Sequence, residues 1–293
     1  MLGLWLGVAR GGEGRPQIAI TGDAGAHSAF QVAFDSFTSS VRGWADVRDL
    51  RPKAGDSPRA GSPSGAPQVV FALGPAGLDQ ARRDFPDVPR VFALAEGDDC
   101  ELAPRRGETG VVLRLSADDL VQALVGVSTK VHRIGYLASA TTNPCGPREL
   151  EQALARRGLE HAGEKVSSVR EGLQALRRIR GTVDAIVLLP NPDVVSDETV
   201  EYAVAAGLER RIPVVGFSPR ITASGALFSV SLDPAAIAHQ AAELARRALA
   251  GATPPPELPR SQRLTVNRRT ARLLGIEVPQ EILKRAAEGG GEP

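Results

Sequence analysis

Residues 131–217 read VHRIGYLASATTNPCGPRELEQALARRGLEHAGEKVSSVREGLQALRRIRGTVDAIVLLPNPDVVSDETVEYAVAAGLERRIPVVGF. Short apolar runs such as DAIVLLP (184–190) alternate with amphipathic runs, two of which stop at Gly158 and Gly181. This alternation predicts three strand–helix units and a further strand, paired in parallel in a doubly wound sheet. Because such sheets bind ligands at the carboxyl ends of their strands, we expect a site at residues 138–146, 190–196 and 217–222.

The N-terminal half shows the same alternation. Strands are predicted at residues 17–21, 68–74, 90–94 and 108–115, and a helix at 28–41 has Phe30, Phe34 and Phe37 on one face. Residues 51–67, RPKAGDSPRAGSPSGAP, contain too much Pro, Gly and Ser for a helix and are predicted to form a loop. The sequence therefore predicts an α/β fold with two doubly wound, Rossmann-like lobes.

Composition excludes several functions. The net charge is +1 without a block of like charge, which gives no indication of nucleic-acid binding. No GxSxG, GxxxxGK[ST] or HExxH motif is present, so we predict neither catalytic residues nor an enzyme. Four scattered histidines and two cysteines without a CxxC pair predict no metal site and no cofactor. Cys145 is interpreted as a small apolar filler, with a disulfide to Cys100 as the less favoured alternative.

Six segments, taken in order, resemble the tryptophan/tyrosine-type substrate-binding proteins of ABC transporters. They are TGVVLRLSADDLVQAL (109–124), RIGYLASATTNPCGPRELEQALARRGLE (133–160), VDAIVLLPNPDVVSDETV (183–200), RRIPVVGF (210–217), SGALFSVSLDP (224–234) and LTVNRRTARLLGIEVPQEIL (264–283). The resemblance covers roughly residues 68–288 and implies the type I periplasmic binding protein fold. It also implies a monomeric, periplasmic or otherwise extracytoplasmic protein that binds a small organic ligand, an amino acid among the candidates, and delivers it to an ABC permease in the membrane.

The expected organisation follows from that fold. Residues 1–15 form a leader, interpreted as either a truncated signal peptide or a disordered segment. Residues 16–116 plus 219–253 form the first lobe, and residues 117–218 plus 254–288 form the second. Hinge crossings join the lobes, and residues 289–293 form a disordered tail.

Three departures from the family favour an alternative function. Asn191 stands where the family usually has an acidic residue, and Pro234 stands where an aromatic residue is common. The loop at 51–67 replaces a helix, which exposes one face of the first sheet or requires another cover. The alternative is a divergent ligand-sensing or protein-interaction module that has lost its transport function.

Candidate ligand-binding residues in the first lobe follow its strands. Gly74, Pro75 and Ala76 open a helix whose backbone N–H groups suit a carboxylate, although a plain strand–helix turn is the alternative. His27 and Ser28 open the first helix, where Ser28 could instead act as its cap. Glu96 could bind an amine, but with Asp98 and Asp99 nearby a solvated acidic loop is the alternative.

Candidates in the second lobe also follow strands. Thr142 and Asn143 could hydrogen-bond a ligand amine or carboxylate, or cap a helix. Asn191 lies one strand–helix unit later, where an amide cannot supply the charge that a ligand ammonium group requires. Ser218 and Arg220 follow the next strand, and Arg220 could clamp a carboxylate or tie the hinge.

Overall fold

The computed structural model describes residues 14–22, 28–52, 66–95, 105–128, 130–140, 145–191 and 194–288. The strands are β1 Gln17–Gly22, β2 Asp46–Asp49, β3 Val69–Leu73, β4 Arg90–Ala95, β5 Glu108–Val112, β6 Arg133–Ser139, β7 Glu160–Val166, β8 Ala185–Val187, β9 Val214–Gly216, β10 Phe228–Leu232 and β11 Gln262–Val266. The helices are α1 Ser28–Val41, α2 Gly74–Asp84, α3 Ala117–Val127, α4 Cys145–Ala155, α5 Val169–Ile179, α6 Asp197–Arg210, α7 Pro219–Ala223, α8 Pro234–Leu249, α9 Arg268–Leu274 and α10 Gln280–Glu288.

Two sheets form the centres of two lobes. The first has the strand order β2-β1-β3-β4-β5, and all its pairs are parallel. The second has the order β11-β10-β9-β8-β6-β7, with only the β10–β11 pair antiparallel. Strand–helix alternation requires crossover connections, which give parallel pairs. The predicted α/β fold with two doubly wound lobes of the type I periplasmic binding protein kind is confirmed.

The helices cover the sheets according to their apolar faces. In the first lobe, α1 and α8 pack against one sheet face through Phe37, Ile237 and Leu244, and α2 packs against the other through Leu78 and Ala81. In the second lobe, α3, α4 and α10 lie on one face, while α5 and α6 lie on the other. Both sheets are therefore central layers, which is why strands such as β3 are buried along their whole length.

The chain crosses between the lobes three times. It leaves the first lobe after β5 through residues 113–116, returns through Asp233 between β10 and α8, and leaves again through residues 250–261. The division expected from the sequence put residues 219–253 in the first lobe. Within that range α8 does pack on the first sheet, but β10 hydrogen-bonds to β9 and β11 in the second sheet. Residues 218–225 consequently lie within the second lobe and are not a crossing.

The predicted gap in the cover of the first sheet coincides with a cavity of about 250 Å³. It lies on the α2 side, beside β1 and β2. The sequence predicts a loop in place of a helix at residues 51–67, of which 53–65 are outside the described residues. The walls of the cavity include Ala19, Leu50, Phe85 and Val88. Because residues 85–88 precede β4, the cavity opens near the amino ends of the strands, away from the edge where ligands are expected.

None of the helices in the described ranges is long and apolar enough to cross a membrane. Several begin with the side-chain caps that their sequences suggest. Ser116 accepts a hydrogen bond from the Asp119 N–H at 3.2 Å, and Asp233 accepts from the N–H groups of Ala235 and Ala236 at 3.0 and 3.3 Å. These caps start α3 and α8 directly at two of the three crossings, so they fix how the chain enters each lobe there.

Candidate ligand-binding cleft

Two of the crossings leave from the carboxyl edges of the two sheets. The first sheet delivers its chain to the second lobe from the carboxyl end of β5, and the second sheet returns it from the carboxyl end of β10. An ion pair spans the same region: the Arg114 guanidinium, just past β5, lies 2.5 Å from the Glu149 carboxylate on α4. The space between these edges is where a doubly wound protein binds its ligand.

The beginning of α2 is built for close approach of a backbone to a ligand. Gly74 has φ +75°, and a Cβ there would lie 3.0 Å from the Phe30 ring, so the position requires glycine. The Thr21 hydroxyl donates to the Gly77 carbonyl at 2.8 Å, which holds the first turn of α2 against the end of β1. Leu73, the N-cap residue of α2, makes no side-chain capping hydrogen bond, and Pro75 and Ala76 are exposed. This turn can therefore present backbone N–H groups to an anion.

The other first-lobe candidates are only partly described. Ser28 is the first residue of α1, as expected, which places it after β1 at the carboxyl edge. His27 and Glu96 lie outside the described residues, as do Asp98 and Asp99. Their proposed contacts with a ligand stay predictions.

Asn191 lies four residues past the end of β8, with 4% of its surface exposed. Its backbone carbonyl accepts hydrogen bonds from the N–H groups of Val194 and Val195 at 3.3 and 2.8 Å, which turn the chain into α6. The residue thus shapes the loop as well as standing at the carboxyl edge. Thr142 and Asn143, expected beside it, lie outside the described residues, so the structure does not show whether the three side chains meet.

Ser218 and Arg220 lie at the start of α7, after β9. The Ser218 carbonyl accepts from the Ile221 N–H at 3.0 Å, which begins the helix, but its hydroxyl makes no capping bond. Arg220 is exposed and pairs with the exposed Asp197 carboxylate at the start of α6. Both partners belong to the second lobe, so this contact joins two helices of one lobe and not the two sides of the hinge.

The interpretation of Cys145 as an apolar filler is wrong, because Cys145 is disulfide-bonded. It is the first residue of α4, at the carboxyl edge of the second sheet. No local pattern signals such a bond, because the partner of a cysteine is decided by long-range proximity and not by spacing. Because a disulfide-bonded sulfur has no free thiol, Cys145 cannot act as a nucleophile. Within the described residues, no group of three or more His, Cys, Asp or Glu side chains could hold a metal.

Polar contacts fasten the crossings. The Gln262 side chain accepts from the Ser116 N–H at 3.2 Å and donates to the Asp119 carboxylate at 2.9 Å, which ties two crossing segments at the second lobe. Glu257 accepts hydrogen bonds from Gln240 and Arg260 at 2.9 and 2.8 Å. Burial raises the pKa of Glu257, but the hydrogen bonds from Gln240 and Arg260 and the charges of Arg260 and Arg247 outweigh burial and hold that pKa below its ordinary value.

Sequence reasoning missed two features of the cleft. Phe30 shares its helix face with Phe34 and Phe37 and packs against the core as they do, but its ring also lies against Gly74 at the start of α2. The pair of Arg114 and Glu149 was not singled out. A hint exists for Phe30, since it stands in the first turn after β1 and so close to the carboxyl edge. The ion pair has no comparable sequence signal because its partners are 35 residues apart.

Comparison with known proteins gives a consistent result. Residues 103–289, more than half of the 293-residue chain, match a family described as ABC transporter substrate binding protein. No curated protein sequence matches the chain.

Three solved structures have the same fold as this chain. The ligand-free, open structure of a substrate-binding protein with adhesive properties from Clostridium difficile is 16% identical with a TM-score of 0.71, over 90% of this chain and 96% of that one. An ABC domain from Streptococcus pneumonia in complex with L-Trp is 16% identical with a TM-score of 0.57, over 93% and 99%. A conserved domain protein from Vibrio cholerae is 17% identical with a TM-score of 0.59, over 93% and 98%.

Proposed function

Since the chain belongs to the ABC transporter substrate-binding protein family, a solute-binding role is its general function, and we propose that its two lobes close on an amino acid or a related small carboxylate. The observation that carries this proposal is the exposed N-terminus of α2 at the carboxyl edge of the first sheet, where the N-cap residue Leu73 makes no side-chain capping bond. The positive end of a helix and its unbonded N–H groups stabilise a carboxylate. The L-Trp complex of the streptococcal structure supports the same ligand class.

We assign the remaining candidates by lobe. The N–H groups of Gly74 and Ala76 bind the ligand carboxylate, Pro75 contacts it without donating, and His27 and Ser28 are proposed as further ligand contacts. Glu96 from the first lobe supplies the negative charge that Asn191 lacks. Thr142, Asn143, Asn191 and Ser218 contact the ligand from the second lobe, and Arg220 stays paired with Asp197 at its rim. Closure then follows from contacts that exist only when both lobes touch the ligand.

The location and partner follow from the family. Members are extracytoplasmic and deliver ligands to an ABC permease, and we propose that this chain does so as a monomer. The disulfide at Cys145 supports export, because disulfides persist mainly in oxidising compartments.

The test is a thermal-shift screen of the purified protein against amino acids and related small carboxylates. A ligand that binds only the folded state stabilises it by about 2.7 kcal/mol at a hundredfold excess over Kd. We expect one ligand class to raise Tm and the others to leave it unchanged. A flat screen on well-folded protein would overturn the transport proposal.

A charge variant sharpens that test. Ala76→Asp places a carboxylate in the first turn of α2, where it interacts favourably with the helix dipole and leaves the fold intact. It also repels an anionic ligand, so we expect Kd for the ligand found in the screen to rise at least about tenfold. The matched control is Ala205→Asp, the same change at an exposed position in the middle of α6. Equal effects of the two variants would contradict a carboxylate site at α2.

A second function is favoured by one observation. The cavity beside β1 and β2 leaves apolar surface of Leu50, Phe85 and Val88 accessible on the far side of the first lobe. A protein-interaction module that had lost transport would use such a surface instead of the cleft. A flat ligand screen would favour this alternative.

A further inference from the structure

The first sheet forms the floor of the cavity beside β1 and β2. Ala19 is in register with Arg48 on one side and with Val70 on the other, and Val70 is in register with Arg90. These four residues make one row across the sheet, and Ala19 and Val70 pack on the α2 face. Because residues in register on neighbouring parallel strands share a face, the Arg48 side chain also leaves the sheet on the α2 side.

The loop between α2 and β4 forms the wall opposite Arg48. The Arg90 guanidinium donates to two carbonyls of this loop, at residues 85 and 86, with distances of 2.8 and 2.7 Å. These bonds hold the loop over the far end of the row. Neighbouring strands lie about 4.8 Å apart, so the backbones of Arg48 and Arg90 are separated by about 14 Å. Ala19 lies between them, and its small side chain leaves the cavity open.

The lining of the cavity combines an apolar surface with one cation. Leu50, Phe85 and Val88 supply apolar side chains, and Arg48 lines the same cavity while half-buried. Within the parts of the chain that the structure describes, the Arg48 guanidinium takes part in no ion pair and no hydrogen bond. A guanidinium with all its N–H groups available beside an apolar wall suits a ligand that has an anionic group and an apolar body.

Two carboxylates restrict the charge of such a ligand. Asp84 and Asp87 line the cavity on the side of the loop, and both are exposed. Across the described ranges, neither of them pairs with Arg48. A second negative charge at the loop end of a ligand would face these carboxylates and be repelled. The arrangement therefore favours a single anionic group, placed at the Arg48 end.

We propose that this cavity is a second ligand site, which takes a compact apolar monocarboxylate such as an aryl- or branched alkyl-carboxylate. The ligand carboxylate binds Arg48, and the apolar body packs on Leu50, Phe85 and Val88 above Ala19. Since a cavity of about 150 Å³ holds one benzene molecule, a cavity of about 250 Å³ holds roughly ten non-hydrogen atoms. Phenylacetate has this size and this charge distribution.

The cavity site is separate from the proposed cleft. It lies near the amino ends of the strands of the first sheet, whereas the cleft lies at their carboxyl edge. None of its lining residues belongs to the candidate ligand contacts of the cleft. Both sites can consequently be occupied at the same time, and the cavity site does not depend on the proposed transport function.

The charge contact is tested by isothermal titration of the full chain with phenylacetate. We expect saturable binding at one site, and we expect Arg48→Gln to raise Kd at least about tenfold because a charge-assisted contact is lost. Arg42→Gln is the matched control, since Arg42 is an exposed arginine of the same lobe, directly after α1. This control should leave Kd unchanged. Absence of saturable phenylacetate binding at millimolar concentration, or equal effects of the two variants, would overturn the site.

The volume of the cavity is tested by filling it. Ala19→Leu extends the floor into the cavity, and Ala66→Phe does so from an exposed position on the rim, outside the core. Both variants should abolish phenylacetate binding, and Ala66→Phe decides if Ala19→Leu does not fold. Phenethylamine, a cation of nearly the same size, should bind more weakly than phenylacetate. Unchanged binding in folded Ala66→Phe, or tighter binding of the cation, would contradict a monocarboxylate site in this cavity.

The variants also distinguish the cavity from the cleft in the thermal-shift screen. A rise in Tm that Arg48→Gln abolishes and Ala76→Asp preserves comes from the cavity, and the opposite pattern comes from the cleft. If phenylacetate binds as expected while no ligand responds to Ala76→Asp, the cavity site stands and the proposed transport function fails. If a ligand responds to Ala76→Asp while phenylacetate does not bind, the transport function stands and the cavity site fails.

Discussion

In the second lobe, two substantial layers of helices enclose the sheet, with α3, α4 and α10 on one face and α5 and α6 on the other. In the first lobe, α1 and α8 form a full layer on one face, whereas α2 is the described helix that packs on the other. The small residues Ala19, Ala72 and Ala95 line that thinner face. A polar cluster of Arg82, Arg90 and Glu108 and a cavity of about 250 Å³ lie on this thinner side of the first lobe.

This difference between the lobes indicates that the stability of the first lobe depends more on specific polar contacts than that of the second. Arg82 donates to both carboxylate oxygens of Glu108 at 3.0 and 2.9 Å, and Arg90 donates to one of them at 3.2 Å. Arg90 also donates to the carbonyls of Phe85 and Pro86 at 2.8 and 2.7 Å. The cluster thereby fixes the loop between α2 and β4 at the end of the thin layer.

The largest expected effect comes from removing the charge at the centre of this cluster. Glu108→Gln leaves two guanidinium groups together, and the Arg90 side chain is only 8% exposed. Loss of one partner from a buried ion pair costs about 3–5 kcal/mol, so we expect a fall of that order in the free energy of unfolding. Chemical denaturation at neutral pH measures it. A loss below about 1 kcal/mol would mean that the cluster is as weak as an exposed pair.

The Glu108 carboxylate also makes the stability difference between the wild type and Glu108→Gln depend on pH. Burial raises the pKa of Glu108, but the hydrogen bonds and charges of Arg82 and Arg90 lower it more, and the net pKa lies below its ordinary value of 4.5. A lowered folded-state pKa contributes stability above the unfolded pKa and loses it as pH falls through the folded value. The gap between wild type and Glu108→Gln should therefore be complete at neutral pH and shrink below pH 4.5. A gap that stays constant into that acid range would contradict this origin.

The next largest effect compares the full apolar layers of the two lobes. Leu244 on α8 and Leu154 on α4 are both 0% exposed, and each leucine-to-alanine change should cost about 2–5 kcal/mol. Hydrogen exchange shows where the loss acts. We expect Leu244→Ala to raise exchange mainly in β3 and β4, and Leu154→Ala mainly in β6. Equal loss of protection in both lobes from either variant would mean that the crossings couple them into one unfolding unit.

Much of this architecture is predictable from sequence because it rests on local periodicity. The alternating runs at 131–217 specify parallel pairs, and Ser116 and Asp233 specify where α3 and α8 begin. The sheet to which β10 belongs was not predictable in the same way, because the sequence of a strand such as FSVSL does not say which of two sheets it joins. The bond at Cys145 and the contact of Phe30 with Gly74 depend on distances between remote segments, so spacing alone could not reveal them.

The smallest expected effect is a gain in the first lobe. Thr109 in β5 is 0% exposed, and among the described residues its hydroxyl is one of the buried polar groups without a hydrogen-bond partner. Leaving such a group unpaired costs about 1–3 kcal/mol, so Thr109→Val, which keeps the branched shape, should raise the free energy of unfolding by about 1 kcal/mol. Denaturant titration measures the gain. Ser229→Ala is the contrasting variant in the second lobe, because its hydroxyl accepts from Thr222 at 2.8 Å and its loss should destabilise. Stabilisation by both changes would show that hydrophobicity alone, and not the missing partner, sets the sign at Thr109.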